Sequence, residues 1–226
     1  MLRDPEPVKL HPGPEFSSPK LYTQSTGRTP MSLYPEARFI KSANAPSQFV
    51  EDAGAEAAFA GRSNAGKSSA INVIVNRRQF ARTSKTPGRT KLVNFFHLED
   101  GKRLVDLPGY GFAKVAGKMR NHWADLMADY FEMRQSLRGM FLIVDIRRRL
   151  TDFDRQMLSF ADSVGLPVHV LLTKADKLKR GQAATALLEV RRDLGDVATV
   201  QQFSALNRLG EDEARARLEE FLAAEE

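Results

Sequence analysis

The stretch from Gly61 to Ser68, GRSNAGKS, decides how the rest of this sequence is interpreted. It fits the pattern G-x-x-x-x-G-K-[ST] of a phosphate-binding loop. A short apolar run at positions 57–60 precedes it and suits a buried strand, and an apolar-rich segment that can begin a helix follows it. In such a strand–loop–helix unit, backbone N–H groups and the helix N-terminus hold phosphate groups. We therefore prefer a phosphate site to the simpler alternative, a glycine-containing turn with a surface lysine.

The loop residues have distinct expected roles. Lys67 is placed to reach the β- and γ-phosphates of a nucleotide, and Ser68 to ligate Mg²⁺. All eight residues are predicted to contact the nucleotide: Gly61, Arg62, Ser63, Asn64, Ala65, Gly66, Lys67 and Ser68.

Length and composition predict one domain with a tail. The chain has 226 residues, 42% of them hydrophobic, and no cysteine, which excludes disulfides and thiol catalysis. Residues 1–30 hold six of the 11 prolines and little that is apolar, so we expect a disordered arm there and a single domain at 31–226. No apolar run has the length of a membrane span, and the N-terminal stretch lacks a signal-peptide core. These features favour a cytoplasmic protein.

Apolar runs that alternate with helical patterns predict an α/β fold. The runs at 140–146 (MFLIVDI) and 167–173 (PVHVLLT) have the continuous apolar character of buried parallel strands. Positions 121–135 are amphipathic at helical spacing, which favours a core helix. The pattern predicts a mostly parallel central sheet with helices on both faces.

A second motif, Asp106-Leu107-Pro108-Gly109, follows a short predicted strand about forty residues after the loop. An aspartate there can hold Mg²⁺ through water, and the glycine N–H can meet the γ-phosphate. An ordinary turn residue after a strand is the alternative for Asp106 alone.

A third motif points to guanine. Thr173-Lys174-Ala175-Asp176 follows the PVHVLL strand, where ligands bind in open α/β sheets. The Asp176 carboxylate can accept from guanine N1–H and the 2-amino group together, the Lys174 stem can lie along the base, and adenine offers no such donor pair. One strand later, Phe203-Ser204-Ala205 lets a backbone N–H approach guanine O6. Alone, the third motif could be a charged turn.

These motifs, GRSNAGKS, TPGRT, DLPGYG, TKAD and FSA in order, resemble the small bacterial GTPases of the EngB (YihA) type, in the translation-factor-related class. The resemblance covers roughly residues 39–222 and implies a P-loop G domain that binds GTP and GDP with Mg²⁺. It further implies a role in large ribosomal subunit assembly, with effects on cell division and septation. The switch segment carried over from the family is Gly88, Arg89, Thr90, Lys91 and Leu92.

The same resemblance implies the catalytic and metal residues. Thr90 would ligate Mg²⁺ in the GTP state, although Thr86 is a rival by spacing. The implied catalytic set is Lys67, Thr90 and Gly109, and the implied metal set is Ser68, Thr90 and, through water, Asp106.

Two residues of this chain differ from the common GTPase patterns, and a third suggests an additional ion. Thr173 stands where many GTPases have Asn, so one tether between the base site and the loop is expected to be weaker. Tyr110 stands where many carry a Gln that orients the attacking water, which predicts slow hydrolysis. Asn64 occupies a position that helps to coordinate K⁺ in some related GTPases, the alternative being an Asn that only closes the loop.

The net charge of +6 at pH 7 favours a polyanionic partner. Basic residues gather in three runs near the predicted nucleotide edge, which favours a polyanionic partner. The family resemblance implies that this partner is the large ribosomal subunit, through its ribosomal RNA or a ribosomal protein. The protein is expected to be a monomer. Solvated faces are the plainer explanation of any single run. For the whole chain, the alternatives are a P-loop small-molecule kinase or ATP-driven enzyme, and a binding module with a structural nucleotide. The runs comprise Arg77, Arg78, Arg82, Lys85, Arg89 and Lys91; Lys114, Lys118 and Arg120; and Arg147, Arg148 and Arg149.

Overall fold

The computed structural model describes residues 34–81, 92–111 and 117–223, with the side chains of 117–124 left out. Seven strands, five α-helices and two short 3-10 helices occur in these ranges. The strands are β1 (Arg38–Ala43), β2 (Ala55–Gly61), β3 (Val93–Glu99), β4 (Lys102–Asp106), β5 (Leu137–Asp145), β6 (Val168–Thr173) and β7 (Thr199–Gln202). The helices are α1 (Lys67–Ile74), α2 (Gly117–Met133), α3 (Asp152–Ser163), α4 (Arg180–Leu194) and α5 (Glu211–Leu222).

The strands form one sheet in the order β1-β3-β4-β2-β5-β6-β7. β4, β2, β5, β6 and β7 run parallel, and β1 and β3 form an antiparallel edge. The predicted α/β fold with a mostly parallel sheet is therefore confirmed. β5 lies in the interior between β2 and β6, which explains why its sequence is apolar without alternation.

Alternate residues of each central strand enter opposite cores. Ala58 and Ala60 of β2 pack with α2, α3 and α4, whereas Ala57 and Phe59 pack with α1 and α5. The predicted amphipathic helix supplies Leu126, Met127, Tyr130 and Phe131 to the first core, and the side chain of Trp123 lies outside the described residues. Helices thus cover both faces of the sheet and leave its edges for ligands.

Gly139 of β5 lets α5 approach the sheet closely. A Cβ at this position would lie 2.3 Å from the ring of Phe221.

Within the described parts of the chain, the structure contains no helix with the length and apolar character needed to cross a membrane.

Candidate nucleotide-binding site

All four sequence motifs of the described residues lie at one edge of the sheet. The phosphate loop follows β2, DLPG follows β4, TKAD spans the end of β6, and FSA follows β7. These strands are parallel, so their carboxyl ends meet at the same edge. This is the edge at which open α/β sheets bind ligands.

Close packing explains the first glycine of the loop. A Cβ on Gly61 would lie 2.7 Å from the carbonyl oxygen of Ile143 in β5, so a larger residue would push the loop out of place. Gly66 at the other end has φ of +107°, which L side chains rarely adopt, and α1 begins at the next residue. The loop therefore delivers its backbone to the N-terminus of α1, where the helix dipole favours anions.

Lys67 and Asp106 form a buried ion pair in this structure. The ammonium group donates to the carboxylate, and the two residues are only 9% and 4% exposed. Asn94 of β3 places its side-chain nitrogen 3.5 Å from the second oxygen of Asp106. The residue predicted to reach the phosphates and the residue predicted to face the metal are therefore in direct contact.

The residues present fit a magnesium ion. Ser68, directly after Lys67 in α1, supplies a hydroxyl, and Asp106 supplies a carboxylate. Oxygen groups of this kind are what Mg²⁺ prefers, with water in the remaining positions. The proposed switch residues Gly88, Arg89, Thr90 and Lys91, and the rival Thr86, lie outside the described residues, so the choice between the two threonines stays open. Leu92 is half-buried just before β3.

The DLPG segment packs directly on the phosphate loop. A Cβ on Gly109 would lie 2.8 Å from Ser63 Oγ, which only a glycine avoids. The N–H of Ser63 donates to the carbonyl of Tyr110 at 3.0 Å, and the N–H of Leu107 donates to Phe59 at 3.0 Å. The Gly109 backbone is thus held beside the loop, as its expected γ-phosphate contact requires.

The side chain of Tyr110 is committed to α3. Its hydroxyl donates to a carboxylate oxygen of Asp154 at 2.5 Å, and the residue is 4% exposed. Burial, together with the charge of Asp154, raises the pKa of Tyr110 well above its usual value. Asp154 also accepts from the N–H and the hydroxyl of Thr151, which caps α3. The Tyr110 hydroxyl is therefore engaged by Asp154, and the side chain has no carboxamide of the kind that Gln supplies.

Thr173 joins the TKAD turn, residues 173–176 and called the base turn below, to the phosphate loop. Its hydroxyl hydrogen-bonds the carbonyl of Ala65 and lies 3.1 Å from the carbonyl of Val144. Because Thr stands where many GTPases have Asn, the sequence predicts a weaker tether. The structure shows that the threonine still makes a direct tether, through backbone carbonyls of the loop and of β5.

Asp176 is fixed at the rim of a pocket. The hydroxyl of Ser204 donates to its carboxylate at 2.6 Å, and this bond, with the nearby Lys177 ammonium, holds the pKa of Asp176 below its usual range. The N–H of Ala175 donates to the carbonyl of Phe203 at 3.1 Å, which extends the β6–β7 pairing into the turn. The structure thus brings TKAD and FSA together. The pocket between them is lined by Gly66, Thr173, Lys174, Asp176, Phe203 and Ala205, among others.

Asp145, which no sequence motif includes, holds the Lys174 side chain that reaches the phosphate loop. It is the last residue of β5 and accepts from the Lys174 ammonium at 2.9 Å. Lys174 also donates to the carbonyl of Asn64 at 2.6 Å. The available signal was a carboxylate at the end of an otherwise apolar run.

The basic run after β5 is not uniform. Arg147 makes a bidentate ion pair with Asp145 at 2.9 and 2.6 Å, and Arg149 pairs with Glu189 of α4 at 2.8 Å. Arg148 is exposed; its backbone N–H donates to the carbonyl of Asp145 at 2.8 Å, but its guanidinium group has no partner among the residues that the structure describes. Of the first run, Arg77 bonds the carbonyl of Ala37 and Arg78 is exposed, and the others lie outside the described residues, as do the side chains of Lys114, Lys118 and Arg120.

Solved structures support the fold. A structure of a probable GTP-binding protein EngB has a TM-score of 0.59 and 22% identity, covering 74% of this chain and 98% of that one. A structure of Era in complex with MgGDPNP and 16S ribosomal RNA nucleotides has a TM-score of 0.61 and 17% identity, covering 78% of this chain and 59% of that one. At these identities the likeness concerns the fold alone.

Sequence comparison reaches further. The family model described as 50S ribosome-binding GTPase matches residues 56–174, which include the phosphate loop, DLPG and the first two residues of TKAD, Thr173 and Lys174. The probable GTP-binding protein EngB of Hydrogenovibrio crunogenus is 50% identical over 196 residues, 85% of this chain and 92% of that protein. With the loop and the base turn at one sheet edge and a relative this similar over most of its length, the chain belongs to the EngB family of GTP-binding proteins, among the ribosome-binding GTPases.

Proposed function

We propose that this protein is a slow GTP-hydrolysing switch that binds the large ribosomal subunit during its assembly in the cytoplasm. The observation that carries the nucleotide choice is the Asp176 carboxylate, held ionised at the pocket rim by Ser204. Two fixed acceptor oxygens suit guanine N1–H and its 2-amino group. The same feature opposes the alternative of an ATP-driven enzyme or small-molecule kinase.

The site residues divide by the part of the nucleotide that they contact. The loop from Gly61 to Ser68 surrounds the phosphates, with Lys67 on the β- and γ-phosphates. Thr173, Lys174, Ala175, Asp176, Phe203, Ser204 and Ala205 form the base site. The residues 88–92 and Asp106, Leu107, Pro108 and Gly109 form the two segments that respond to the γ-phosphate.

Magnesium would be held by Ser68 and, through water, by Asp106, with Thr90 added in the GTP state. When bound, the ion neutralises charge on the β- and γ-phosphates. Lys67 exchanges its contact with Asp106 for the phosphates and adds a second positive charge. The Gly109 N–H, held against Ser63, donates to the γ-phosphate. Catalysis then consists of positioning and charge neutralisation.

Slow turnover follows from the position of Tyr110. Its hydroxyl is bonded to Asp154 and its ring is buried, so it does not orient a water at the γ-phosphate. A ribosomal partner that completes the site would raise the rate. Asn64 offers an exposed amide oxygen for K⁺, and unequal hydrolysis in potassium and sodium at matched ionic strength would support that ion.

Co-sedimentation with ribosomal particles tests the proposal. We expect binding to large-subunit particles that differs between GDP and a non-hydrolysable GTP analogue. Depletion in cells should cause incomplete large subunits to accumulate and septation to fail. Equal binding in both nucleotides, with unchanged protease cleavage of the two switch segments, would instead favour a module in which the nucleotide is only structural. The domain assignment, an arm at 1–30 and a monomeric G domain at 31–226, predicts that a chain lacking the arm still binds GDP.

A further inference from the structure

A second cleft lies beside the phosphate loop and shares Lys174 with the base pocket. One wall is the loop itself, residues 62–65. The other walls are the turn after β5, residues 145–149, and the start of α3 at Thr151 and Asp154. Residues 62–65 and Lys174 belong to motifs already described, but no motif accounts for the three arginines after β5 that line the same cleft.

Positive charge predominates in this cleft. Five cationic side chains line it, against the two carboxylates Asp145 and Asp154. Asp145 is already paired with two of these cations. Asp154 accepts from neutral donors, Tyr110 and Thr151. The five cations are Arg62, Arg147, Arg148, Arg149 and Lys174.

Two of these arginines have side chains that make no polar contact with the described residues. Arg147 and Arg149 are held by Asp145 and Glu189. Arg62 and Arg148 have no hydrogen bond or ion pair from their guanidinium groups to any residue in the described part of the chain. Arg148 is exposed, and Arg62 is half-buried against Gly111, whose added Cβ would lie 2.9 Å from Arg62 Nε. A guanidinium group without such partners can donate two parallel hydrogen bonds to the oxygens of one phosphate.

The apolar part of the lining does not suit a peptide side chain. Ala65, Ile143 and Val144 line the cleft, but they are at most 4% exposed and so present little apolar surface. A peptide partner would need such surface for its affinity, whereas binding to a nucleic acid backbone depends mainly on phosphate contacts.

We propose that this cleft binds a backbone phosphate of ribosomal RNA, with Arg148 as the principal contact and Arg62 as the second. The inference rests on the ribosomal partner of the proposed function and names where the RNA is held. Because Arg62 belongs to the phosphate loop, the RNA phosphate lies next to the nucleotide site.

The test uses the full chain, large-subunit ribosomal RNA made by transcription, and the variants Arg148→Ala, Arg148→Lys and Arg192→Ala. Arg192 is the matched control: it is an exposed arginine in the last turn of α4 and does not line the cleft. Affinity is measured by anisotropy between about 50 and 200 mM salt. GDP affinity is measured in parallel to show that each variant is folded.

We expect Arg148→Ala to weaken RNA binding about five- to eight-fold near 0.1 M salt and to flatten the log–log salt slope by about 0.7–0.9, the contribution of one phosphate contact. Arg148→Lys keeps the charge but not the bidentate geometry, so it should preserve the salt slope and lose part of the affinity. Arg192→Ala should match the wild type. Equal RNA binding by Arg148→Ala and wild type, or equal losses in both alanine variants, would overturn the proposal.

The two levels of inference fail separately. If the protein sediments with large-subunit particles but does not bind the RNA alone, the RNA site is wrong and the proposed function stands. A poly-glutamate peptide at equal charge concentration tests the alternative of an acidic protein. If the peptide displaces the RNA, and Arg148→Ala weakens peptide binding as much as RNA binding, the cleft is assigned to an acidic protein instead. Failure to sediment with the particles would remove the proposed partner itself.

Discussion

The Lys174 ammonium lies 2.9 Å from a carboxylate oxygen of Asp145, and this contact ties the base turn to the end of β5. Lys174 donates at the same time to the carbonyl of Asn64 in the phosphate loop. Burial alone would raise the pKa of Asp145, but the hydrogen bonds from Arg147 and Lys174 outweigh it and hold that pKa far below its usual range. An ionised Asp145 therefore helps to position both halves of the nucleotide site.

Replacing Asp145 should weaken nucleotide binding, although we expect this residue to act through Lys174 and not by contacting the nucleotide. In Asp145→Asn the ammonium of Lys174 loses its ionic partner, and we expect GDP affinity to fall about ten-fold, equivalent to ~1.4 kcal/mol. Fluorescent GDP titration measures this. The control Asp193→Asn removes an exposed carboxylate paired with Arg155 and should have no effect. In a Lys174→Met background the Asp145 change should add nothing, and a full additional loss would show that Asp145 acts by another route.

Asp176 should determine the choice of base. Asp176→Asn should lose guanine affinity and gain xanthine affinity, because xanthine presents a carbonyl where guanine has an amine. Ser204→Ala removes only the hydroxyl that holds the carboxylate at 2.6 Å, so it should weaken GDP binding and keep the preference for guanine. Titrations with fluorescent GDP and XDP compare the two variants. An unchanged preference in Asp176→Asn would remove this residue from the base site.

Lys67 is expected to be required for GTP affinity. Lys67→Ala deletes a charge-assisted phosphate contact, which should cost at least about 1.5–3 kcal/mol. It also leaves the buried Asp106 unpaired, which by itself can destabilise a fold by about 3–5 kcal/mol. The double variant Lys67→Ala with Asp106→Asn removes both charges, so a folded double variant with near-normal GTP affinity would contradict the assignment. Ser68→Ala should instead weaken the magnesium dependence of binding.

Tyr110 should matter for stability and not for the reaction. Tyr110→Phe keeps the buried ring but loses the bond to the Asp154 carboxylate, so the free energy of unfolding should fall by about 1.5–3 kcal/mol, the range for hydrogen bonds to charged groups. The rate of GTP hydrolysis by the isolated protein should stay the same. Urea unfolding and single-turnover hydrolysis measure the two effects. A large drop in the hydrolysis rate would give the hydroxyl a chemical role and refute our account of slow turnover.

His169 should make stability depend on pH. Burial, against an opposing hydrogen bond with Gln201, lowers the pKa of His169 from 6.5 to about 4. The pKa of His169 is lower in the folded protein than in the unfolded chain. Its contribution to stability is therefore fully present above about pH 6.5 and is lost as the pH falls toward 4. We expect this side chain to account for about 2 kcal/mol of destabilisation at about pH 5. His169→Gln should flatten the stability profile between about pH 7 and 5, measured by urea unfolding, and an equally steep profile would assign the effect to other groups.

The sequence was sufficient to predict where the motifs meet. Parallel strands bring their carboxyl ends together, so the motifs after β2, β4 and β6 had to share an edge once the apolar runs were assigned. The continuous apolar character of residues 140–146 likewise predicted an interior strand, and β5 lies between β2 and β6. These predictions depend on strand type and chain order, which local sequence encodes well.

Side-chain partners were not predictable in the same way. Arg147, Arg148 and Arg149 look alike in sequence, yet one is bound to Asp145, one to Glu189, and one to neither. The partner of Tyr110 lies in α3, more than forty positions along the chain. Such contacts depend on how distant elements pack, which periodicity does not report. Thr173 likewise reaches the loop because β6 places its backbone close enough for a short side chain.

The position of β2 inside the sheet also constrains the order in which the site can form during synthesis. β2 hydrogen-bonds to β4 and β5, which follow it in the chain, so its loop gains both flanking strands only after Asp145 has been made. The bond between Ser204 and Asp176 must wait for residue 204. Pairings between strands so distant in sequence are slow to form. A nascent chain that already carries GRSNAGKS therefore lacks a complete guanine site until β7 and the FSA turn have joined the sheet.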